Sequence, residues 1–224
     1  MLDQLIISGK ASYDDFGASV ADRKLPPPKK KSIKETVPHS NVTYDFSKIG
    51  GEVFWEEREL EYAFEIIAPT PEALEEMITE FSAWVMNVTE EEIHDPFIPE
   101  YHFIGTYADM KSTYDESMEK VTLSVTFTAY PYKIANVPKG YDFTIPAYQS
   151  KTVYVENKSA HKIAPEVTAS GSVSVRVGNV SVLFPKGSFT VSSLKLEQGV
   201  NAITLSNSTG TECDVTIKFS EEVF

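Results

Sequence analysis

Cysteine is almost missing: Cys213 stands alone among 224 residues, which excludes an intrachain disulfide framework and a Cys-based zinc site. The fold must therefore rest on core packing or on neighbouring subunits. Long apolar runs are missing as well, and no window approaches the ~18–20 unbroken apolar residues that a membrane-spanning helix needs. The opening MLDQLIISGK has a short apolar stretch but an acid at Asp3, no basic lead and no small-residue cleavage signal. It reads as a first strand and not as a signal peptide, so the protein is expected to be made soluble in the cytoplasm. With 11 Gly and 13 Pro there is no low-complexity texture, and 42% apolar with 12% aromatic residues is enough to pack one or two cores.

The motifs of common chemistry are also lacking. There is no GxGxxG, phosphate-binding loop, GxSxG or HExxH. The 4 histidines, His39, His94, His102 and His161, are scattered, and no pair has short helical ligand spacing. Glu90-Glu91-Glu92 with His94-Asp95 is the densest ligand-type cluster. It could hold a cation, but the reading adopted is an acidic loop after a helix, because adjacent acids do not converge on a point without special loop geometry. The many glutamates make a carboxylate-pair glycosidase conceivable, but so acidic a chain contains accidental pairs and no local motif supports one. No catalytic residue, cofactor or metal is assigned, and an enzyme is not expected.

Charge is plentiful and unevenly placed. The net charge is −13. Residues 1–34 carry seven basic and four acidic side chains, residues 52–119 carry nineteen acidic and two basic ones, and residues 121–224 nine against eight. The acidic middle argues against nucleic-acid binding there, since phosphate contacts depend on Lys and Arg. A basic head and an acidic middle could meet across a subunit boundary, where complementary potentials set register; a solvated acidic face is the plainer reading.

Along the chain, residues 2–7 begin a strand that breaks at Ser8-Gly9-Lys10, a polar and aromatic turn follows at Tyr13–Gly17, and a short strand at Ala18–Ala21. RKLPPPKKKSIK, from Arg23 to Lys34, holds three prolines and five lysines; consecutive prolines favour extended polyproline backbone, so this reads as an outlying arm or loop. Val42–Ser47 is a β segment ending in a flexible turn at Gly50-Gly51. From Val53 to Ile67, Glu57, Glu59, Glu61 and Glu65 alternate with Arg58, Leu60, Tyr62, Phe64 and Ile66. This period of two predicts a half-exposed strand over the competing helix. Thr70-Pro71-Glu72 is a helix start, and Leu74, Met77, Ile78, Phe81 and Val85 form one apolar stripe after it. Tyr101–Tyr107 and Val121–Tyr130 then read as strands, the second stopped by Pro131. The first half is α+β, mostly β with one helix.

Beyond Tyr130-Pro131-Tyr132 the texture changes. Short β-branched runs at 153–155, 173–177, 180–184, 188–191, 194–196, 202–205 and 215–219 are separated by Gly, Asn, Ser or Pro, with tight-turn signals at Gly178-Asn179 and Lys186-Gly187. Several short strands with no helical window predict an all-β sandwich or jelly roll. The boundary is expected within 131–145, dividing the chain into domains of residues 1–135 and 136–224.

The order of several segments carries a resemblance: Ile7-Ser8-Gly9-Lys10 with Ser12-Tyr13-Asp14-Asp15-Phe16-Gly17, then Lys24-Leu25-Pro26-Pro27-Pro28, Tyr44-Asp45-Phe46-Ser47 with Gly50, Glu57-Arg58-Glu59-Leu60, and Phe127–Tyr132. Leu196–Ile203 and Val215–Phe219 continue it into the second half. The chain resembles the distal tail protein family of long-tailed, non-contractile phages over nearly its whole length. That resemblance implies an N-terminal belt domain assembling side by side into a hexameric ring, with a galectin-like C-terminal sandwich. It further implies partners in the major tail tube protein, a tail-associated tip protein and a receptor-binding protein, and a channel through which DNA and the tape-measure protein pass without specific binding. The place would be the virion tail tip, with assembly in the host cytoplasm and no membrane partner. The absence of a long insertion resembles the minimal form of the family. The ring-interface candidates are Phe16, Gly17, Pro26, Pro27, Pro28, Asp45, Phe46 and Arg58. The competing readings are a carbohydrate-binding module using Tyr141, Tyr148 and Tyr154, and another ring-forming tail-tube subunit.

Overall fold

A computed structural model describes residues 3–36, 41, 43–47, 53–116 and 119–224. The Gly50-Gly51 turn, Val42 and His39 lie outside the described residues. The chain divides into two compact units, Met1–Lys133 with Phe224, and Ile134–Val223.

In the first unit the elements run β1 (Ile6–Ile7), β2 (Lys10–Ala11), α1 (Ser12–Phe16), β3 (Ser19–Lys24), β4 (Lys34–Thr36), β5 (Thr43–Asp45), β6 (Arg58–Ile67), α2 (Pro71–Val85), β7 (Glu91–His94), β8 (Tyr101–Tyr114) and β9 (Lys120–Ala129). The main sheet has the order β2-β1-β7-β8-β9-β6-β3, antiparallel along that path. Its centre follows from the alternation in the sequence. Leu60, Tyr62, Phe64 and Ile66 of β6 stand opposite Phe127, Val125, Leu123 and Val121 of β9, and all eight are buried. Glu59, Glu61 and Glu65 take the other face, as a two-residue period requires.

Helix α2 covers the apolar face with Leu74, Phe81 and Val85. It starts where the sequence says it should: Thr70 is extended, and its Oγ1 accepts a hydrogen bond from the Ala73 amide at 3.3 Å, with Pro71 in the first turn. Phe81 is fully buried with Phe64, Trp84 and Phe16 around it, at centroid distances of 4.9, 5.6 and 6.2 Å.

The second unit contains β10 (Lys133–Ala135), β11 (Lys139–Ile145), β12 (Ser150–Asn157), β13 (Glu166–Ala169), β14 (Val173–Val177), β15 (Val180–Phe184), β16 (Gly187–Thr190), β17 (Gly199–Ser206), β18 (Cys213–Phe219) and β19 (Glu222–Val223). Two antiparallel four-stranded sheets, β11-β18-β13-β16 and β12-β17-β14-β15, face each other across one core. Val153, Val155, Ile203, Leu205, Val167, Val215 and Ile217 meet inside it, giving the expected all-β sandwich. Gly178 closes the β14–β15 turn with φ 54. Lys186-Gly187 differs from the expected tight turn between paired strands: β15 and β16 belong to opposite sheets, and Gly187, with φ 128, sits where the chain crosses. The run 194–196 is not a strand but a loop whose Leu194 and Leu196 plug the core, with one bridge from Leu196 to Ile163.

Three further departures lie in the first unit. The aromatic turn at Tyr13–Gly17 contains a helix, α1, ended by Gly17 in the left-handed region at φ 67. The arm after Pro28 does not stay extended but forms the β4–β5 hairpin. The expected acidic loop is strand β7, inside the main sheet between β1 and β8. There Ile93 is buried against Ile7 and Phe103, while Glu92 and His94 take the opposite face.

Both tryptophans, Trp55 and Trp84, lie in the first unit, so their fluorescence reports that unit's unfolding alone. Phe81→Ala is expected to cost it about 3–5 kcal/mol, read as a lower urea midpoint by tryptophan fluorescence.

Candidate assembly surface

The arm leaves β3 at Leu25 and runs along the residues preceding β6. Pro26 and Pro27 are exposed, Pro28 is buried, and with Lys29 and residues 56–59 they line a cleft of about 260 Å³. Two backbone hydrogen bonds hold the arm: the Lys31 amide donates to the Phe54 carbonyl at 2.9 Å and the Glu56 amide to the Lys29 carbonyl at 2.8 Å. The Lys30 ammonium lies over the Trp55 ring at 5.8 Å.

Arg58 anchors the start of the arm. Its side chain is buried, stacks on Phe103 at 5.0 Å, and donates to the Leu25 carbonyl at 3.3 Å and the Pro131 carbonyl at 3.4 Å. Burial pulls this guanidinium below its ordinary range, with Tyr62 acting weakly the other way. Lys133 is lowered too, by burial first and by Arg58 second. A charge held on two carbonyls and a ring joins three chain segments at one point.

Past this anchor the arm becomes a hairpin with an apolar side. Lys34, Glu35 and Thr36 pair with Asp45, Tyr44 and Thr43, and the Phe46 amide donates to the Ile33 carbonyl at 2.8 Å. Ile33 and Glu35 therefore share a face with Phe46 and Tyr44. Tyr44 and Phe46 stack at 6.2 Å, yet Tyr44 is 53% and Phe46 41% exposed. Ile33, Val53 and Phe54 are also exposed. Lys29, Lys30, Lys31 and Lys34 add positive charge, all exposed. Part of the basic–acidic complementarity is met inside the chain, through Lys24 to Glu61 at 2.9 Å and Arg23 to the buried Asp95 at 2.8 Å.

The sequence candidates fall in three places. Pro26, Pro27, Pro28 and Arg58 come together at the cleft. Asp45 and Phe46 lie on the hairpin. Phe16 stacks on Trp84 at 4.7 Å and, with Lys10 and Glu80, lines a groove of about 650 Å³, while Gly17 follows it as the α1 cap. Sequence reasoning missed Ile33, Tyr44, Val53 and Phe54 as an exposed set. The alternation Ile33/Glu35 against Tyr44/Phe46 was the available signal.

Of the sandwich tyrosines, Tyr141 is occupied structurally: it stacks on Phe219, and its hydroxyl donates to the Glu156 carbonyl at 3.1 Å and accepts from the Glu156 amide at 3.2 Å. Tyr148 and Tyr154 are exposed. On the face of the first unit's sheet opposite Ile93, Glu92 and His94 of the ligand-type cluster seen in the sequence are brought together with His102, which the sequence did not connect to them. No helix among the described residues is long and apolar enough to cross a membrane.

A sheet-and-helix unit followed by an all-β sandwich is the fold of a phage tail hub protein, and the structure has that fold. The crystal structure of SPP1 Dit (gp 19.1), described as a paradigm of hub adsorption apparatus in Gram-positive infecting phages, is similar over 100% of both chains with a TM-score of 0.70 at 14% identity. The phage P2 baseplate in its activated conformation with Ca is a more distant likeness, covering 97% of this chain and 98% of that one at a TM-score of 0.41 and 10% identity. No family model and no curated protein matches the sequence.

Arg58→Met keeps the apolar stem and removes both donors to the carbonyls. Trypsin is expected to cut at Lys29–Lys31 about threefold or more faster in this variant, as local opening becomes easier, with fragments read by mass spectrometry.

Proposed function

We propose that this chain is a structural subunit of a phage tail tip, assembling side by side through its first unit into a ring of six copies. The ring joins the tail tube protein to the tip and receptor-binding proteins, and the sandwich unit is its peripheral module. DNA passes through the channel without specific binding, and the protein performs no catalysis. Its place is the virion tail tip, reached after assembly in the host cytoplasm.

The observation that carries this reading is the arm. A two-stranded hairpin is marginal by itself, and one with Ile33, Tyr44 and Phe46 facing water is a surface made to be covered. A second copy is the occupant that closes a cyclic assembly, because every protomer then both gives an arm and receives one. The exposed lysines of the arm and the acidic outer face of β6 have the opposite signs that such a head-to-tail contact uses. The fold shared with a phage hub protein supports the same role.

Size-exclusion chromatography with light scattering tests it. The purified chain is expected at about six times 25.0 kDa, and Phe46→Asp is expected to release protomers while leaving circular dichroism unchanged. An open, concentration-dependent polymer would favour a tube subunit instead. A strict monomer at high concentration that also docks on no tail component would end the proposal.

A further inference from the structure

We infer that Glu92, His94 and His102 form a binding site for a divalent ion of the zinc class, built across the β7–β8 pair. His94 stands directly opposite His102 in the antiparallel ladder, and Glu92 lies two residues before His94, on the same face. The two imidazoles are 5.1 Å apart between ring centroids. The carboxylate of Glu92 turns one oxygen to each: Oε2 is 3.0 Å from Nε2 of His94, and Oε1 is 3.9 Å from Nε2 of His102. All three ligand atoms lie within 4.8 Å of one another.

Donors arranged around a tetrahedral zinc at ~2.0–2.1 Å stand about 3.3 Å apart, so the spacing here is within small side-chain adjustments of a coordination shell. A surface His–Glu hydrogen bond would need only His94 and Glu92. The additional feature is His102, a buried imidazole on the adjoining strand whose Nε2 lies 3.9 Å from the same carboxylate.

The ligand set also selects the ion. Two nitrogen donors and one carboxylate suit zinc and its first-row neighbours, while calcium and magnesium require shells of oxygen. His94 is flanked by Ile6 of β1 on its other side. Glu92 and His94 are partly exposed, so a fourth ligand can approach from solvent. A bound ion would pin the four-residue β7 to β8, and because it binds the folded chain it would raise thermal stability by mass action. The inference does not depend on the ring.

Titration calorimetry of the full chain with zinc chloride, after chelator treatment, tests the site. One zinc per chain is expected, with a dissociation constant below about 100 μM and a raised Tm in thermal scans, and calcium chloride is expected to give neither. His94→Ala and Glu92→Gln change partly exposed positions and should each weaken zinc binding about tenfold or more while keeping the circular dichroism spectrum. His161→Ala, which removes the His161–Glu222 pair of the second unit, should leave binding unchanged. No stoichiometric zinc binding, equal binding of calcium, or zinc binding that survives His94→Ala with Glu92→Gln would overturn the assignment.

Discussion

A buried guanidinium with two carbonyl partners is the point on which the first unit's architecture turns. Arg58 sits where β6 begins, and its two donors reach Leu25 and Pro131 while its plane rests on Phe103. Removing such a group from water is costly unless its hydrogens are used. Here those on Nη1 and Nη2 tie the end of β9 and the departing arm to the sheet, while Nε is buried with no hydrogen-bond partner among the described residues. The proline run then has a fixed start, and the backbone bonds at Lys29 and Lys31 carry that order to the hairpin.

The same chain therefore treats apolar surface in two ways. Inside the main sheet, β6 and β9 face each other residue for residue and α2 covers them, so burial within one chain is complete. On the hairpin, large side chains of the same chemistry are left half in water. Hydrophobic burial contributes roughly 25 cal/mol per Å², so covering that face is a driving force for association that no intrachain contact among the described residues uses. In the proposed ring, fold stability and assembly thus fall to different parts of one unit.

Much of this was legible in the sequence where a period was strong. The acid–apolar alternation of residues 57–67 predicted β6, the Thr70-Pro71 start and the stripe through Val85 predicted α2, and the β-branched runs of the second half predicted the sandwich. The segments that escaped are short or have patterns hidden by charge. Strand β7 has one core residue, Ile93, among acids and a histidine, so its composition resembles a loop and its place in the sheet is set by partners far away in sequence. Strand β4 is polar and follows a proline run, whereas its partner β5 lies within the expected β segment at Val42–Ser47, and helix α1 has only one turn to signal itself. Of the Glu92, His94 and His102 cluster, the sequence marked Glu92 and His94 as ligand-type residues but not His102. Its members are neither in helical spacing nor consecutive, and only the β7–β8 register puts them side by side. The likeness of the ordered segments to the distal tail proteins pointed to the fold at an identity where no single motif could.

The central claim is that a second copy covers the hairpin face. An electron cryomicroscopy map of the assembled protein tests it most directly. The account predicts a closed six-fold ring in which Ile33, Tyr44 and Phe46 of each protomer lie against the neighbouring first unit. A ring whose protomers meet elsewhere, with that face open to solvent, would contradict it.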